Sequence, residues 1–217
     1  IGTVGVRIDK QFEHAERTTP ESCDLQALFA KMRDAKCDTV AMEVSSHALD
    51  LKRVWGTRFA VTAFSNLTQD HLDYHKTFEA YFEAKALLFS SDYPAKRVIC
   101  IDDAWGQELL RRCAAAGDEV ISTGFDEKAL IHPVSVTYAT THTDIELDVR
   151  GNRYAFTYPL VGRFNVSNVM LAFGVGLELG IPANTIVDAL KSAPQVPGRL
   201  QRISAQHDGG VSVFVDY

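Results

Sequence analysis

The stretch Phe59–Leu67, FAVTAFSNL, is a short apolar run that predicts a buried β-strand. A similar run, Asp38–Val44, precedes it, and the apolar runs Arg97–Ile101 and Glu119–Thr123 follow it. Apolar residues three and four positions apart predict helices between these runs, most clearly over Thr77–Phe89. Strands that alternate with helices indicate right-handed crossovers, so we predict an α/β fold with a mainly parallel sheet flanked by helices.

The two ends of the chain carry different patterns. Ile1–Ile8 predicts a further strand, and Thr19 followed by proline predicts a helix with Thr19 as its N-cap. Beyond the α/β part, apolar and polar residues alternate on both sides of Gly151-Asn152, which predicts an antiparallel hairpin with one solvent-exposed face. The predicted organisation is therefore an α/β part, a small antiparallel β subdomain, a helical part and an exit strand: residues 1–130, 131–160, 161–200 and 211–217.

The composition is that of an ordinary globular protein, with 46% hydrophobic and 23% charged residues among 217. A net charge of −6 disfavours a nucleic-acid partner, and no apolar run approaches the roughly 18 residues of a membrane helix. The scattered cysteines predict reduced core thiols of a cytoplasmic protein: Cys23, Cys37, Cys100 and Cys113. Because the chain starts at Ile1 inside a predicted strand and stops at Tyr217 after another, we expect a piece of a longer protein.

Polar residues follow two neighbouring strands of the predicted sheet. Glu43 ends the first strand, in MEVSSHALD, and His71 follows the second, in SNLTQDHLDYH. Ligands of open α/β sheets bind at the carboxyl ends of strands, which makes this edge a candidate site. Lys85 follows on the next helix, on the same inward face as Phe82 and Phe89. Each residue also has an ordinary structural interpretation. Glu43 would be a carboxylate with its hydrogen bonds satisfied, His71 a structural loop histidine, and Lys85 a lysine whose ammonium reaches water.

Seven segments occur in the order and spacing found in bacterial Mur ligases: TTPES, MEVSSHALDLKRV, NLTQDHLDYH, EAYFEAKALLF, GRFNVSN, PGRLQ and VFVDY. The chain resembles this family over essentially its whole length, and it is most similar to the UDP-N-acetylmuramoyl-tripeptide synthetases. The resemblance implies the central ATPase domain of a ligase that also has N-terminal and C-terminal domains. No GxxGKT phosphate loop occurs in these 217 residues, so the implied P-loop-type fold lacks its first strand and that loop.

The resemblance also implies a reaction, its co-substrate and a metal. ATP would phosphorylate the D-Glu carboxylate of UDP-MurNAc-L-Ala-D-Glu, and the amine of a third amino acid would then displace phosphate. Mg²⁺ would neutralise charge on the reacting anions. In the family the lysine that matches Lys85 is carbamylated, and Glu43 and His71 match the other metal-site residues. Only a neutral amine adds carbon dioxide, and burial favours the neutral form of lysine, which gives the inward position of Lys85 a chemical use.

Two further groups of residues match by the same resemblance. One group matches residues that hold the UDP-muramoyl peptide: Thr18, Thr19, Ser45 and Arg53. The other group matches residues that bind ATP. Asn165 and Asn168 match two asparagines beside the adenine, Arg199 an arginine near the phosphates, and Asp216 an aspartate on the ribose. Helix capping and interface packing are the ordinary alternatives. Leu51 and Arg17 depart from some relatives, which carry a glutamine and an asparagine at these positions.

Three alternatives to this ligase remain open from the sequence. One is a ligase similar to folylpolyglutamate synthase, which uses the same scaffold. Another is a metal-dependent hydrolase built on Glu43, Asp70, His71 and His75, which would leave Lys85 unexplained. The third is a nucleotide-sugar-binding module without turnover. The sequence does not reveal the third amino acid, since the segment that selects it in the family belongs to the C-terminal domain.

Overall fold

The computed structural model describes residues 1–69, 71–203 and 213–216. The chain divides into two compact units, each made of two segments: Ile1–Phe59 with Gln69–Pro94, and Ala60–Thr68 with Ala95–Tyr217. None of the helices in the described ranges has the length and apolarity needed to cross a bilayer.

The first unit contains a short hairpin and four helices. Its elements are β1 (Val6–Ile8), β2 (Gln11–Glu13), α1 (Ser22–Asp34), α2 (Ser46–Asp50), α3 (Leu72–His75) and α4 (Phe78–Ala86). A 3₁₀ turn, Leu87–Phe89, extends α4, so the predicted helix over residues 77–89 is confirmed. The Thr77 hydroxyl caps this helix by accepting from the N–H of Ala80 at 3.1 Å.

Three predictions for the first unit are wrong in detail. The predicted strand Ile1–Ile8 is a strand only at Val6–Ile8, since the chain turns through a Gly2–Gly5 bridge. The first helix begins at Ser22 with Glu21 as N-cap, because the Thr19 hydroxyl bonds the main chain of Glu43 and Ser45 instead. Asp38–Val44 is not a strand and is largely exposed. Its main chain bonds Ile1 at only two points, whereas a strand needs a partner along its length.

The second unit is built on one six-stranded sheet in chain order. Its strands are β3 (Val61–Phe64), β4 (Lys96–Cys100), β5 (Val120–Thr123), β6 (Ile131–Tyr138), β7 (Thr143–Val149) and β8 (Asn152–Tyr158). Strands β3 to β6 pair in parallel, and β6 to β8 pair antiparallel, so β6 belongs to both parts. The predicted antiparallel part therefore continues the parallel sheet. Its hairpin turns at Arg150 and Gly151, whose positive φ angles of 53° and 84° match a type I′ turn.

Three helices cover this sheet: α5 (Ala104–Ala115), α6 (Arg163–Glu178) and α7 (Ala183–Lys191). β4 is buried at every position from Arg97 to Cys100, so both faces of the sheet are covered there. One face packs Val98 and its neighbours against Met170 and Phe173 of α6. The α/β fold class and the flanking helices are thus confirmed. The last ladder pairs β9 (Gln201–Arg202) with β10 (Phe214–Val215), and the rest of the predicted exit strand, residues 211, 212 and 217, lies outside the described residues.

The cysteines are only partly core residues. Cys100 and Cys113 are buried, and burial raises the pKa of the Cys100 thiol to about 11. Cys37 is half-buried, and Cys23 is exposed on α1. The prediction of core thiols is therefore wrong for Cys23, because its position in the first turn of α1 faces away from the buried Leu25 and Leu28.

Candidate functional site

The carboxylate of Glu43 is held by the amino-terminal loop. Its Oε2 accepts from the N–H of Thr3 at 3.2 Å and from the Thr3 hydroxyl at 2.7 Å. The Thr3 hydroxyl also lies 3.1 Å from that of Thr18. A Cβ at Gly2 would lie 2.5 Å from Glu43 Oε1, so any other residue at position 2 would displace the Glu43 side chain. The Glu43 carboxylate thus accepts two hydrogen bonds, both from Thr3, and they orient its side chain.

Thr19 and Ser45 join the segment before α1 to the start of α2. The Thr19 side chain is 1% exposed, and its hydroxyl donates to the Glu43 carbonyl at 2.9 Å and accepts from the Ser45 N–H at 3.0 Å. Ser45 is the N-cap of α2, where its Oγ accepts from the N–H of Ala48 at 3.2 Å. The capping alternative is therefore correct for Ser45, and Thr19 has a structural role beside any contact with a ligand.

Arg53 lies against the same segment. Its guanidinium donates to the Thr19 carbonyl at 3.3 Å and pairs with Glu21 at 3.0 Å, and its side chain is only 10% exposed. Through these bonds the structure brings together Thr19, Ser45 and Arg53, three of the four residues matched to peptide binding. Thr18 joins them through Thr3 and Glu43.

A cluster of histidine and tyrosine rings surrounds α3. The ring of His47 lies 5.0 Å from that of His71 and 5.4 Å from that of His75, measured between centroids. Burial is the main cause that lowers the pKa of His47 and of His75, and the charge of a neighbouring histidine adds to it in each case. Both side chains are therefore held toward the neutral form.

His71 and Lys85 both lie near one further ring, Tyr81. The His71 ring meets the Tyr81 ring edge-on, with centroids 5.9 Å apart, and Lys85 Nζ lies 5.1 Å from the Tyr81 centroid. Lys85 is half-buried, as the inward stripe predicts. Asp70 lies outside the described residues. Within residues 1–69, 71–203 and 213–216, no three His, Cys, Asp or Glu side chains form a metal-binding group.

The residues matched to ATP lie in the second unit. Asn165 is buried on the first turn of α6, where its Nδ2 donates to the Val161 carbonyl at 2.8 Å. Its Oδ1 accepts from Asn168 Nδ2 at 3.4 Å, so the two asparagines form a pair. Asp216 accepts from the N–H of Leu200 at 3.1 Å, next to the exposed Arg199. The structure thus forms two pairs: Asn165 with Asn168, and Asp216 with the segment of Arg199.

Sequence reasoning missed two aspartates at the carboxyl end of β4. Asp103 caps α5 by accepting from Gly106 N–H at 2.7 Å, and Asp102 accepts from Phe125 N–H at 2.7 Å. Nearby, the guanidinium of Arg163 lies 3.5 Å from the Phe125 ring centroid. The adjacent pair of aspartates directly after a buried strand was the available signal, since the carboxyl ends of parallel strands form the ligand-binding edge.

Comparison with known proteins identifies the family. Residues 1–176 match the model of the Mur ligase middle domain. The chain belongs to the Mur ligase family. A Mur ligase of Gloeobacter violaceus, named UDP-N-acetylmuramoyl-L-alanyl-D-glutamate–2,6-diaminopimelate ligase, is 44% identical over the whole chain, which covers 44% of that relative. A Corynebacterium glutamicum protein of the same name is 42% identical, again over the whole chain and 42% of the relative. The chain thus spans less than half the length of these relatives.

Solved structures agree with this family. The structure of a ligase with that same name superimposes with a TM-score of 0.81 at 30% identity, over 94% of this chain and 42% of the other. A Mycobacterium tuberculosis folylpolyglutamate synthase superimposes with a TM-score of 0.58 at 21% identity, over 72% of this chain and 35% of the other. The second likeness shows a shared fold alone, whereas the first accompanies likeness in sequence.

Proposed function

We propose that this Mur ligase domain is the middle domain of an ATP-dependent ligase that joins 2,6-diaminopimelate to UDP-N-acetylmuramoyl-L-alanyl-D-glutamate. The observation that carries the proposal is identity of 44% and 42%, over the whole chain, to two ligases with that name. The reaction would build a peptidoglycan precursor in the cytoplasm, where ATP is available. The N-terminal and C-terminal domains of the same protein would complete the enzyme.

The first unit would bind the muramoyl peptide through Arg53 and the two threonines. Arg53 is a cation with little exposure, so an anion that reaches it is poorly screened by water. The Thr19 hydroxyl holds the main chain at Ser45 in place by accepting its N–H, and Ser45 in turn caps α2. The half-buried Thr18 presents its hydroxyl beside that of Thr3.

Mg²⁺ prefers oxygen donors, which Glu43 offers and which Lys85 would supply after carbamylation. His71 would add an imidazole nitrogen. The Lys85 ammonium would first lose a proton, and the neutral nitrogen would then add to the carbon of CO₂ and lose a second proton. The side chain would thereby change from a cation to an anion with two oxygens. When bound, Mg²⁺ would neutralise charge on the phosphates and the substrate carboxylate. The histidines His47 and His75, held toward the neutral form, would add little repulsion to a cation in this region.

The second unit would bind ATP. The buried Asn165 accepts a hydrogen bond from the side-chain amide of Asn168, and the exposed Asn168 side chain would meet an adenine edge. Asp216 presents a carboxylate for the ribose hydroxyls, and Arg199 a cation for the phosphates. These roles rest on the resemblance of the motifs, and the pairing of the two asparagines supports the first of them.

Phosphate release by the full-length protein tests the proposal. We expect release that requires ATP, UDP-N-acetylmuramoyl-L-alanyl-D-glutamate and diaminopimelate together, with a product heavier by one diaminopimelate residue. Lysine in place of diaminopimelate controls for the choice of amino acid, and a folate substrate controls for the polyglutamylating alternative. Release without ATP, or release that ignores the muramoyl peptide, would reject the proposed function.

A further inference from the structure

His75 is a buried histidine with two well-defined partners. Its side chain is 9% exposed, and its Nε2 lies 2.8 Å from the hydroxyl oxygen of Ser46, which is 1% exposed. Its ring is stacked on that of Tyr81, with centroids 5.2 Å apart and an interplanar angle of 23°. The hydrogen bond fixes the His75 ring, and the His75 ring then covers one side of Tyr81.

The Tyr81 ring lies near both His71 and Lys85. It is 5% exposed, so its position is fixed by packing. The edge-on contact with His71 and the approach of Lys85 Nζ both end on this ring. A chain of contacts therefore runs from Ser46 through His75 and Tyr81 to His71 and Lys85, two of the three side chains proposed above for Mg²⁺.

We propose that Tyr81, held in place by His75 and Ser46, is a positioning residue for His71 and Lys85. This inference rests on the proposed function, since it concerns the metal site of that reaction. The Tyr81 ring restricts the rotamers of both side chains before the metal arrives, which lowers the entropy lost on binding. Groups behind metal ligands commonly set affinity in this way, and their loss typically costs 10- to 100-fold.

Two local features make such support necessary. His71 has a left-handed backbone, with φ of 52°, directly before the short helix α3, and its side chain is exposed. Lys85 has four rotatable side-chain bonds and is only half-buried. Neither backbone position alone fixes where the nitrogen atom points. The three supporting residues also give a shared role to three motifs, because Ser46 lies in SSHALD, His75 in DHLDYH and Tyr81 in EAYFEAK.

Binding of Mn²⁺ to the full-length protein, followed through the electron paramagnetic resonance signal of the free ion, tests the inference without relying on activity. The variants are Tyr81→Leu, Tyr81→Phe and Ser46→Ala, each measured with bicarbonate present. Tyr93→Leu is the matched control, because Tyr93 is also a buried tyrosine of the first unit, 4% exposed, and contacts Trp55 and Phe59 instead.

We expect Tyr81→Leu to raise the Mn²⁺ Kd about tenfold or more. Tyr81→Phe keeps the ring and should retain wild-type affinity, and Ser46→Ala should weaken binding by a smaller factor. Adding Ser46→Ala to Tyr81→Leu should have little further effect, because Ser46 acts through the ring. Tyr93→Leu should lower thermal stability about as much as Tyr81→Leu does, and it should leave the Kd for Mn²⁺ unchanged.

An unchanged Kd in folded Tyr81→Leu overturns the inference, and if that variant does not fold, an unchanged Kd in Ser46→Ala does so. A Kd raised equally by Tyr93→Leu also overturns it, since general loosening would then be the cause. If the wild-type protein ligates diaminopimelate but binds no Mn²⁺, the proposed metal site is wrong and the proposed ligase activity stands. Wild-type protein that binds Mn²⁺ but forms no product rejects the ligase, and the Kd of the variants still decides the role of Tyr81.

Discussion

The Thr19 hydroxyl accepts a hydrogen bond from the main-chain N–H of Ser45 at 3.0 Å, across 26 residues of sequence. The same hydroxyl donates to the Glu43 carbonyl at 2.9 Å. One buried side chain thus joins the segment before α1 to the N-cap of α2 and to the segment that carries Glu43. The position of the proposed substrate-binding residues depends on this connection.

Thr19→Val should lower the free energy of unfolding by about 1–3 kcal/mol, because it leaves the part-buried Ser45 N–H and Glu43 carbonyl without their partner. Urea denaturation measures this loss. Thr18→Val is the matched control, because the half-buried Thr18 hydroxyl has one hydrogen-bond partner among the described residues, the hydroxyl of Thr3. This substitution should cost less than about 0.5 kcal/mol. Equal losses in the two variants would mean that the Thr19 hydrogen bonds do not hold the segment.

Arg53→Ala in the full-length ligase should raise the KM for the muramoyl peptide about 10- to 100-fold and that for ATP much less, because a charge-assisted hydrogen bond is lost. Steady-state kinetics at a temperature where both proteins are folded measures the two values. Arg33→Ala controls for loss of a cation, since Arg33 is 77% exposed and pairs with Asp34. Equal changes in the two KM values would assign Arg53 to its structural contacts with Thr19 and Glu21.

Local patterns predict the parallel strands and the helix over residues 77–89, because both depend on apolar periodicity that packing preserves. The Asp38–Val44 segment shows the limit of that reasoning. Its valines predict a buried strand, yet pairing partners are not encoded in the segment itself. The motifs predict which residues gather around Glu43, but Tyr81 reads as an ordinary apolar helix position. Its contacts with His71 and Lys85 depend on how α3 meets α4, which no spacing rule supplies.

Gly106→Ala should destabilise the second unit by about 1–3 kcal/mol, because its Cβ would lie 1.9 Å from the Cys100 carbonyl oxygen and the backbone must shift. Gly176→Ala is the matched control within α6. Its Cβ would meet the end of the Ile186 side chain at 2.7 Å, and that side chain can rotate. A gain of up to about 1 kcal/mol in helix propensity offsets this contact. Thermal unfolding that ranks the two variants in the opposite order would contradict the close packing of α5 on β4.

Glu108→Gln should lower the melting temperature at neutral pH but not near pH 2. Hydrogen bonds from Arg111 and Arg112 lower the pKa of Glu108 from 4.5 to about 2 in the folded chain. The unfolded chain therefore binds more protons within that window, so this contribution to stability is complete above pH 4.5 and is lost as the pH falls toward 2. Melting curves from pH 2 to 7 measure the difference. Glu127→Gln, at an exposed glutamate, should show no such pH dependence, and a constant difference for Glu108→Gln would contradict the assignment.

The central claim is that Lys85 takes part in the chemistry of an ATP-dependent ligase. Lys85→Met keeps the half-buried stem of the side chain and removes its nitrogen, so the fold should survive while turnover is nearly abolished. Lys31→Met, at an exposed helical lysine of α1, is the control and should retain activity. Removal of carbon dioxide at mildly acidic pH should lower wild-type activity, and bicarbonate should restore it.

The most direct measurement is a carbon-13 spectrum of the full-length protein supplied with labelled bicarbonate, recorded alongside its ligase activity. We predict a carbamate signal in the wild type and in Lys31→Met that is absent from Lys85→Met. An active wild-type enzyme without that signal, or a Lys85→Met variant that retains both signal and activity, would contradict the account.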